Sequence, residues 1–214
     1  MTAMRHITRL FVLAALGAVT ASCGDVARSG RAPVFLVIDS IGATAGTTGG
    51  ANGTPSSILQ SDVQTMVRTP APCSNESPCP TIVGDGGIAA FHLSPKDIGT
   101  ASATASPSSN NQVTLTRYRV VYKRADGRNT PGVDVPYGFD GGITITVPIT
   151  GSASTGFELV RTIAKTESPL VQLVNNPTII TTIAEVTFYG QDLVGNAIQA
   201  TGNIQVDFGN FADR

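Results

Sequence analysis

Cys73 and Cys79 are the pair whose spacing bears most directly on chemistry. They enclose five residues inside Thr69–Pro80, a stretch with four prolines in twelve positions that excludes regular structure. A redox centre more typically shows Cys-x-x-Cys, and zinc would need further Cys or His ligands nearby. Neither pattern is present, so the pair reads as a structural disulfide, which requires an oxidising compartment. Three acids, Asp126, Asp134 and Asp140, raise a calcium question, but their spacing does not follow an Asp-x-Asp-x-Asp-Gly loop. No metal or cofactor is therefore expected. His92 and His6 are the two histidines of the chain. A His with no Cys or second His nearby is more often a satisfied structural residue than a ligand. Serine hydrolysis would have His92 as its base, yet there is no Gly-x-Ser-x-Gly elbow. Glycoside chemistry needs two converging carboxylates, and few of the acids sit in apolar stretches that would raise a pKa. A non-catalytic protein is the expectation.

The compartment is set by residues 1–25. Arg5 and Arg9 precede an apolar run from Leu10 to Val19, with no acid among them. The run is ten residues long, whereas a bilayer-spanning helix needs about 20. It closes on Thr20-Ala21-Ser22, directly before Cys23. Basic start, short apolar middle and small-residue cut site make an export signal over residues 1–22.

Thr20-Ala21-Ser22-Cys23 resembles the lipobox of bacterial lipoproteins, with Thr20 where leucine is typical. The resemblance covers the N-terminus alone. It implies that the Cys23 thiol is diacylated and that cleavage just before it makes Cys23 the first mature residue. Ordinary cleavage after Ala21 is the rival. Cysteine arithmetic favours the lipoprotein: three cysteines are an odd count for an exported chain, and lipid on Cys23 leaves Cys73 and Cys79 as one pair. Stable anchoring takes more than one lipid chain, which a diacylated cysteine provides. Residue 24 is Gly, not the Asp that retains such proteins at the inner membrane in two-membrane bacteria, so the resemblance implies the outer membrane rather than the inner one. Residues 23–32 then read as a flexible tether, and 33–214 as one domain.

Removing residues 1–22 takes Arg5 and Arg9 from the 14 basic residues, leaving 12 against 15 acidic, a net charge of −3. That argues against a nucleic-acid partner, which calls for a basic face. The remaining 192 residues suffice for a sizeable core. Gly, Thr and Ser are frequent, Trp is absent, and β-branched residues outnumber good helix formers. This is the balance of an all-β protein outside the cytoplasm.

Pro33–Asp39 carries a continuous apolar run, Val34 to Ile38, which suits a strand covered on both faces. Residues 40–57 and 99–112 are low-complexity stretches expected as exposed loops. Ile58–Arg68 reads as one strand. Gly84-Asp85-Gly86-Gly87 reads as a turn leading into a strand over 88–93. Asp-Gly-Gly-Ile recurs at 140–143, again read as a turn entering a strand. In Val113–Arg124 one face holds Tyr118, Val120 and Tyr122, and the other holds Arg117, Arg119, Val121 and Lys123. With the tyrosines inward, Arg117, Arg119 and Lys123 form either a basic contact patch or, as favoured here, a solvated face with cross-strand acid partners. Ile143–Thr150 and Phe157–Ala164 are expected to pair as a hairpin. Ser168–Leu173 reads as one helical turn, with Ser168 as cap and Pro169 in first position. Two alternating runs, Ile180–Phe188 and Ile198–Phe208, predict a long closing hairpin with one buried face.

Eight or nine short strands, Gly/Pro turns and no amphipathic helix predict a β-sandwich. The pattern over residues 33–210 resembles immunoglobulin-like and fibronectin-III-like domains, without the core Trp and inter-sheet disulfide of antibody domains. Together with the anchor, this implies a non-catalytic binding or structural module of the cell envelope. Its expected neighbours are the membrane, through the N-terminal lipid, and another envelope protein. A glycan ligand is the alternative. The loops at 40–57, 99–112 and 125–142 are the natural contact surface.

Overall fold

The computed structural model describes residues 31–47, 53–96 and 108–211. The export signal, the lipobox, Cys23 and tether residues 24–30 lie outside the described residues, as do parts of both low-complexity stretches.

The chain is a β-sandwich. One sheet holds β1 (Val34–Thr44), β5 (Asp85–Pro95) and β8 (Ser152–Val160), in the order β1-β5-β8. The other holds β2 (Ile58–Asp62), β10 (Ala197–Gly209), β9 (Ile180–Asp192), β6 (Val113–Lys123) and β7 (Phe139–Val147), in the order β2-β10-β9-β6-β7. All pairings are antiparallel except β2 with β10, which is parallel. A two-stranded ribbon, β3 (Thr65–Val67) with β4 (Cys79–Thr81), projects from the link between β2 and β5. A short helix, α1 (Thr162–Thr166), follows β8, and a 3-10 turn covers Leu170–Asn175.

The alternation read from the sequence explains the long strands. Val113, Leu115, Tyr118, Val120 and Tyr122 of β6 are buried, as are Ala184, Val186 and Phe188 of β9 and Ile198, Ile204, Val206 and Phe208 of β10. The parity slips once in β6, where a bulge between Leu115 and Arg117 shifts the register against both neighbours. The centre of the core is aromatic and drawn from both sheets. Phe91 of β5 meets Phe188 of β9 edge-on at 4.9 Å, and Phe157 of β8 meets Phe188 at 5.4 Å and Tyr118 at 5.3 Å. Each such pair adds about 0.5–1.5 kcal/mol beyond its area burial.

Both Asp-Gly-Gly sequences lie inside strands, not at turns. Gly87 stands opposite Phe157 in the β5–β8 register, and Gly141 stands opposite Tyr118 in the β6–β7 register. A Cβ on Gly87 would come within 2.4 Å of the Phe157 ring, and one on Gly141 within 2.3 Å of the Tyr118 ring. The glycines make room for two rings that themselves touch, so the repeat reflects one packing need met on each sheet.

Other expectations also change. Val34 and Leu36 are buried but Phe35 is 54% exposed, so β1 is covered on one face only. β1 continues to Thr44, taking residues 40–44 out of the predicted loop. Ser109–Asn111 of the second low-complexity stretch form a 3-10 turn. Ala32 is buried, so the domain begins before residue 33. Ile58–Arg68 is two strands in different sheets. β7 and β8 are joined by residues 148–151, yet they pair with β6 and β5 respectively and do not form the predicted hairpin. β8 ends at Val160, with α1 following where strand was expected. Pro169 stands at the N-cap of the 3-10 turn, and no side chain caps it.

Candidate functional site

Arg117, Arg119 and Lys123 lie on the outer face of the larger sheet, as the alternation requires. Arg117 Nη1 donates to Asp140 Oδ1 of β7 at 3.0 Å, and Arg119 Nη1 is 3.9 Å from Asp140 Oδ2. Lys123 Nζ donates to Glu185 Oε2 of β9 at 2.8 Å. The Arg117 guanidinium also stacks 4.1 Å from the centroid of the Tyr189 ring. Each cation therefore has a cross-strand acid, and the face carries alternating charge instead of one basic patch. The Thr187 and Thr201 hydroxyls bond across β9 and β10 at 2.9 Å on the same face, and those of Thr114 and Thr146 across β6 and β7 at 3.1 Å.

The structure does not gather the three acids weighed for calcium. Asp126 takes Arg124 and Arg128, with Nη2 to Oδ2 distances of 2.7 and 2.9 Å. These two guanidiniums hold its carboxyl well below the usual carboxylate range. Asp134 accepts from the Thr130 N–H at 3.2 Å, and Asp140 belongs to the arginine row.

His92 has a partner that its sequence neighbourhood does not reveal. Its Nδ1 sits 2.5 Å from Asp39 Oδ1, on the outer face of the smaller sheet. A bulge between Ile38 and Ser40 turns Asp39 toward it, and Ser152 lies opposite His92 across β5–β8. A shallow cleft of about 280 Å³ lies on this sheet, lined among others by Ser40, Ile41, Ile88, Ala90 and Ser154.

A second unforeseen group lies in the interior. Lys165 Nζ of α1 is 2.9 Å from Asp85 Oδ2 and donates to the Asp62 carbonyl at 2.8 Å. The Ser61 hydroxyl donates to Asp85 Oδ2 at 2.6 Å, and the Gly46 N–H to Oδ1 at 2.8 Å. Tyr122 extends the buried polar zone by donating to the Leu159 carbonyl at 2.6 Å. Burial, then the nearby Asp85 charge, pushes the Tyr122 hydroxyl far above its ordinary value. This set ties α1, β2, β5 and the segment after β1 together.

The third arrangement is the loop from Arg124 to Gly138. Its backbone is fixed from within: the Val133 and Asp134 N–H groups donate to the Thr130 carbonyl at 3.1 and 2.8 Å, and Gly132 N–H donates to the Val135 carbonyl at 2.8 Å. Val135 is buried beneath it, while Val133 and Tyr137 are 66% and 57% exposed. The Arg124–Asp126–Arg128 cluster belongs to the same loop. The loop is thus ordered, with two apolar side chains, Val133 and Tyr137, at the surface beside paired charges. Its place among the candidate contact loops was legible from its Gly, Pro and Asp content; its internal order was not.

No protein-family model matches the chain, and comparison with curated proteins and with solved structures finds no significant match.

Proposed function

We propose that this chain is a lipid-anchored, non-catalytic module of the bacterial cell envelope that works by contacting another protein. The observation that carries the reading is the placement of its two ends. β1 begins at Val34, opposite Pro95 of β5, and the β9–β10 hairpin tip lies at this same end. The 124–138 loop lies at the other end, between the end of β6 and the start of β7. A chain tethered through residues 23–31 would hold the near end at the membrane and turn Val133 and Tyr137 outward. The immunoglobulin-like reading draws support from strand order: β1-β5-β8 and β10-β9-β6 correspond to the A-B-E and G-F-C strands of that fold.

Two experiments test the proposal. Intact mass of the protein from bacterial membranes, with Cys23→Ala as control, should give a chain starting at Cys23 with acyl mass added. A photo-crosslinker at Val133 should yield a discrete protein adduct in cells, and one at Thr187 on the sheet face should not. An unacylated chain starting at Ser22 would remove the anchor. Equal, diffuse labelling from both positions would remove the contact loop.

A further inference from the structure

The β9–β10 turn is built more firmly than its length requires. Asp192, itself 3% exposed, accepts from Val194 N–H at 3.0 Å, Asn196 N–H at 2.8 Å and Asn196 Nδ2 at 2.7 Å. Gly195 N–H closes onto the Asp192 carbonyl at 3.0 Å, with Gly195 at φ +89°. This frame displays two adjacent aliphatic side chains, Leu193 at 61% and Val194 at 70% exposure. Scattered apolar side chains on a surface need no explanation, but a preorganised turn that presents two side by side suits a contact. The same end carries Phe35, 54% exposed, with Lys96 Nζ 5.0 Å from its ring centroid. An aromatic ring beside a cation suits the boundary between acyl chains and headgroups.

We infer that Leu193 and Val194 dock this end of the sandwich on the lipid bilayer, with Phe35 and Lys96 at the headgroup level. The inference rests on the lipid-anchor reading of Cys23. Nine peptide steps separate Cys23 from the buried Ala32, so the chain reaches at most about 32 Å from the membrane. The opposite end lies a full strand away: the 13 residues of β9 span about 40 Å. Tethering keeps the hairpin tip close to the surface, so a contact too weak to recruit a free protein still orients an anchored one. Bilayer affinity of such a site grows with buried apolar area and headgroup attraction, and this end supplies both.

The test uses the full acylated chain, its mass measured first, reconstituted in phosphatidylethanolamine/phosphatidylglycerol vesicles. An environment-sensitive fluorophore is attached at Leu193→Cys or, as a far-end control, at Arg128→Cys. The label at 193 should shift to the blue and be quenched by nitroxide-bearing lipids, while the label at 128 stays water-like. Adding Val194→Ser to the 193-labelled chain should reduce the quenching. An acylated chain whose two labels behave alike overturns the docking and leaves the anchor standing. A mass without acyl chains overturns the anchor reading and this inference together. Protection at 193 that depends on protein concentration, and not on nitroxide lipid, identifies a second copy as the occupant and overturns the bilayer.

Discussion

Lys165 and Asp85 form an ion pair 2.9 Å long, with each side chain 2% exposed, between a five-residue helix and the first residue of a central strand. Two charges this deep lose nearly all hydration, and the arrangement survives because the remaining bonding capacity of the carboxylate is used. Ser61 and the Gly46 backbone donate to it, and Lys165 finds a second acceptor in the Asp62 carbonyl. Removing one partner leaves an uncompensated buried charge, which costs about 3–5 kcal/mol. Lys165→Met is therefore expected to lower unfolding stability in urea by that amount. Replacing both partners, Lys165→Met with Asp85→Leu, should recover much of the loss, because well-packed apolar pairs often equal buried ion pairs. A double variant no more stable than the single one would show that the Ser61 and Gly46 bonds, and not the charge pairing, are what matter.

Tyr122 makes the fold sensitive to alkali. Its folded-state pKa is raised above the unfolded value of about 10, first by burial and then by Asp85. The stability tied to its neutral form is fully present below that unfolded value and is lost as pH rises above it. Absorbance titration at 295 nm should show the Tyr122 phenol ionising only together with unfolding. Tyr122→Phe should shrink the delayed component, to which Tyr118, also raised by burial, contributes, and should remove the hydroxyl that donates to the Leu159 carbonyl. Complete phenol titration before any loss of structure would contradict the burial argument.

The strand faces were legible in the sequence because period-two alternation is a local property. Tyr118, Val120 and Tyr122 inward with Arg117, Arg119 and Lys123 outward follows from counting, and the structure adds the acids, Asp140 and Glu185, that answer them. What the sequence did not disclose depends on register between distant segments. Asp39 reaches His92 through a bulge 53 residues away, and Asp85 meets Lys165 from another element altogether. The glycine pairs misled for a related reason. Asp-Gly is a turn signal when the flanking strands pair with each other, but Gly87 and Gly141 answer to rings on neighbouring strands. The hydrophobic run at Val34–Ile38 misled because run length alone does not reveal that a strand lies at a sheet edge with one open face.

The arginine row should matter little for stability. Arg117, Arg119 and Asp140 are about half exposed, and pairs of this kind contribute about 0.2–1 kcal/mol, screened by salt. Arg117→Ala is expected to shift the unfolding midpoint only slightly, through its stacking on Tyr189 as much as through charge. Asp126 provides a spectroscopic counterpart. Its carboxyl is held low by Arg124 and Arg128, so in a proton titration followed by NMR it should stay ionised below the usual carboxylate range. Arg124→Gln should return it toward the ordinary range.

Reduction of the Cys73–Cys79 disulfide should lower thermal stability by a modest amount. The bond closes a short loop, for which chain entropy assigns about 2 kcal/mol. It lies on the β3–β4 ribbon, whose three residue pairs stand outside both main sheets. Amide exchange should accelerate at Thr65–Val67 and Cys79–Thr81 on reduction and stay unchanged in β9. An unchanged melting curve with two free thiols would show that the bond carries no stability.

Gly87 tests the packing account of the repeated Asp-Gly-Gly most directly. The backbone there is extended, so alanine meets no conformational barrier, and its whole effect must come from the Phe157 ring 2.4 Å from the new Cβ. Phe157 is buried and touches both Tyr118 and Phe188, so it cannot move without displacing them. Gly87→Ala is expected to cost about 1–3 kcal/mol, the usual penalty of overpacking. Combining it with Phe157→Leu should give a loss smaller than the sum of the two single losses, because the smaller side chain yields the space that the methyl group needs. Strict additivity would mean that the ring and the glycine are not coupled. Gly142, where a Cβ would meet nothing within 4 Å, is the matched control: Gly142→Ala should leave the melting temperature nearly unchanged.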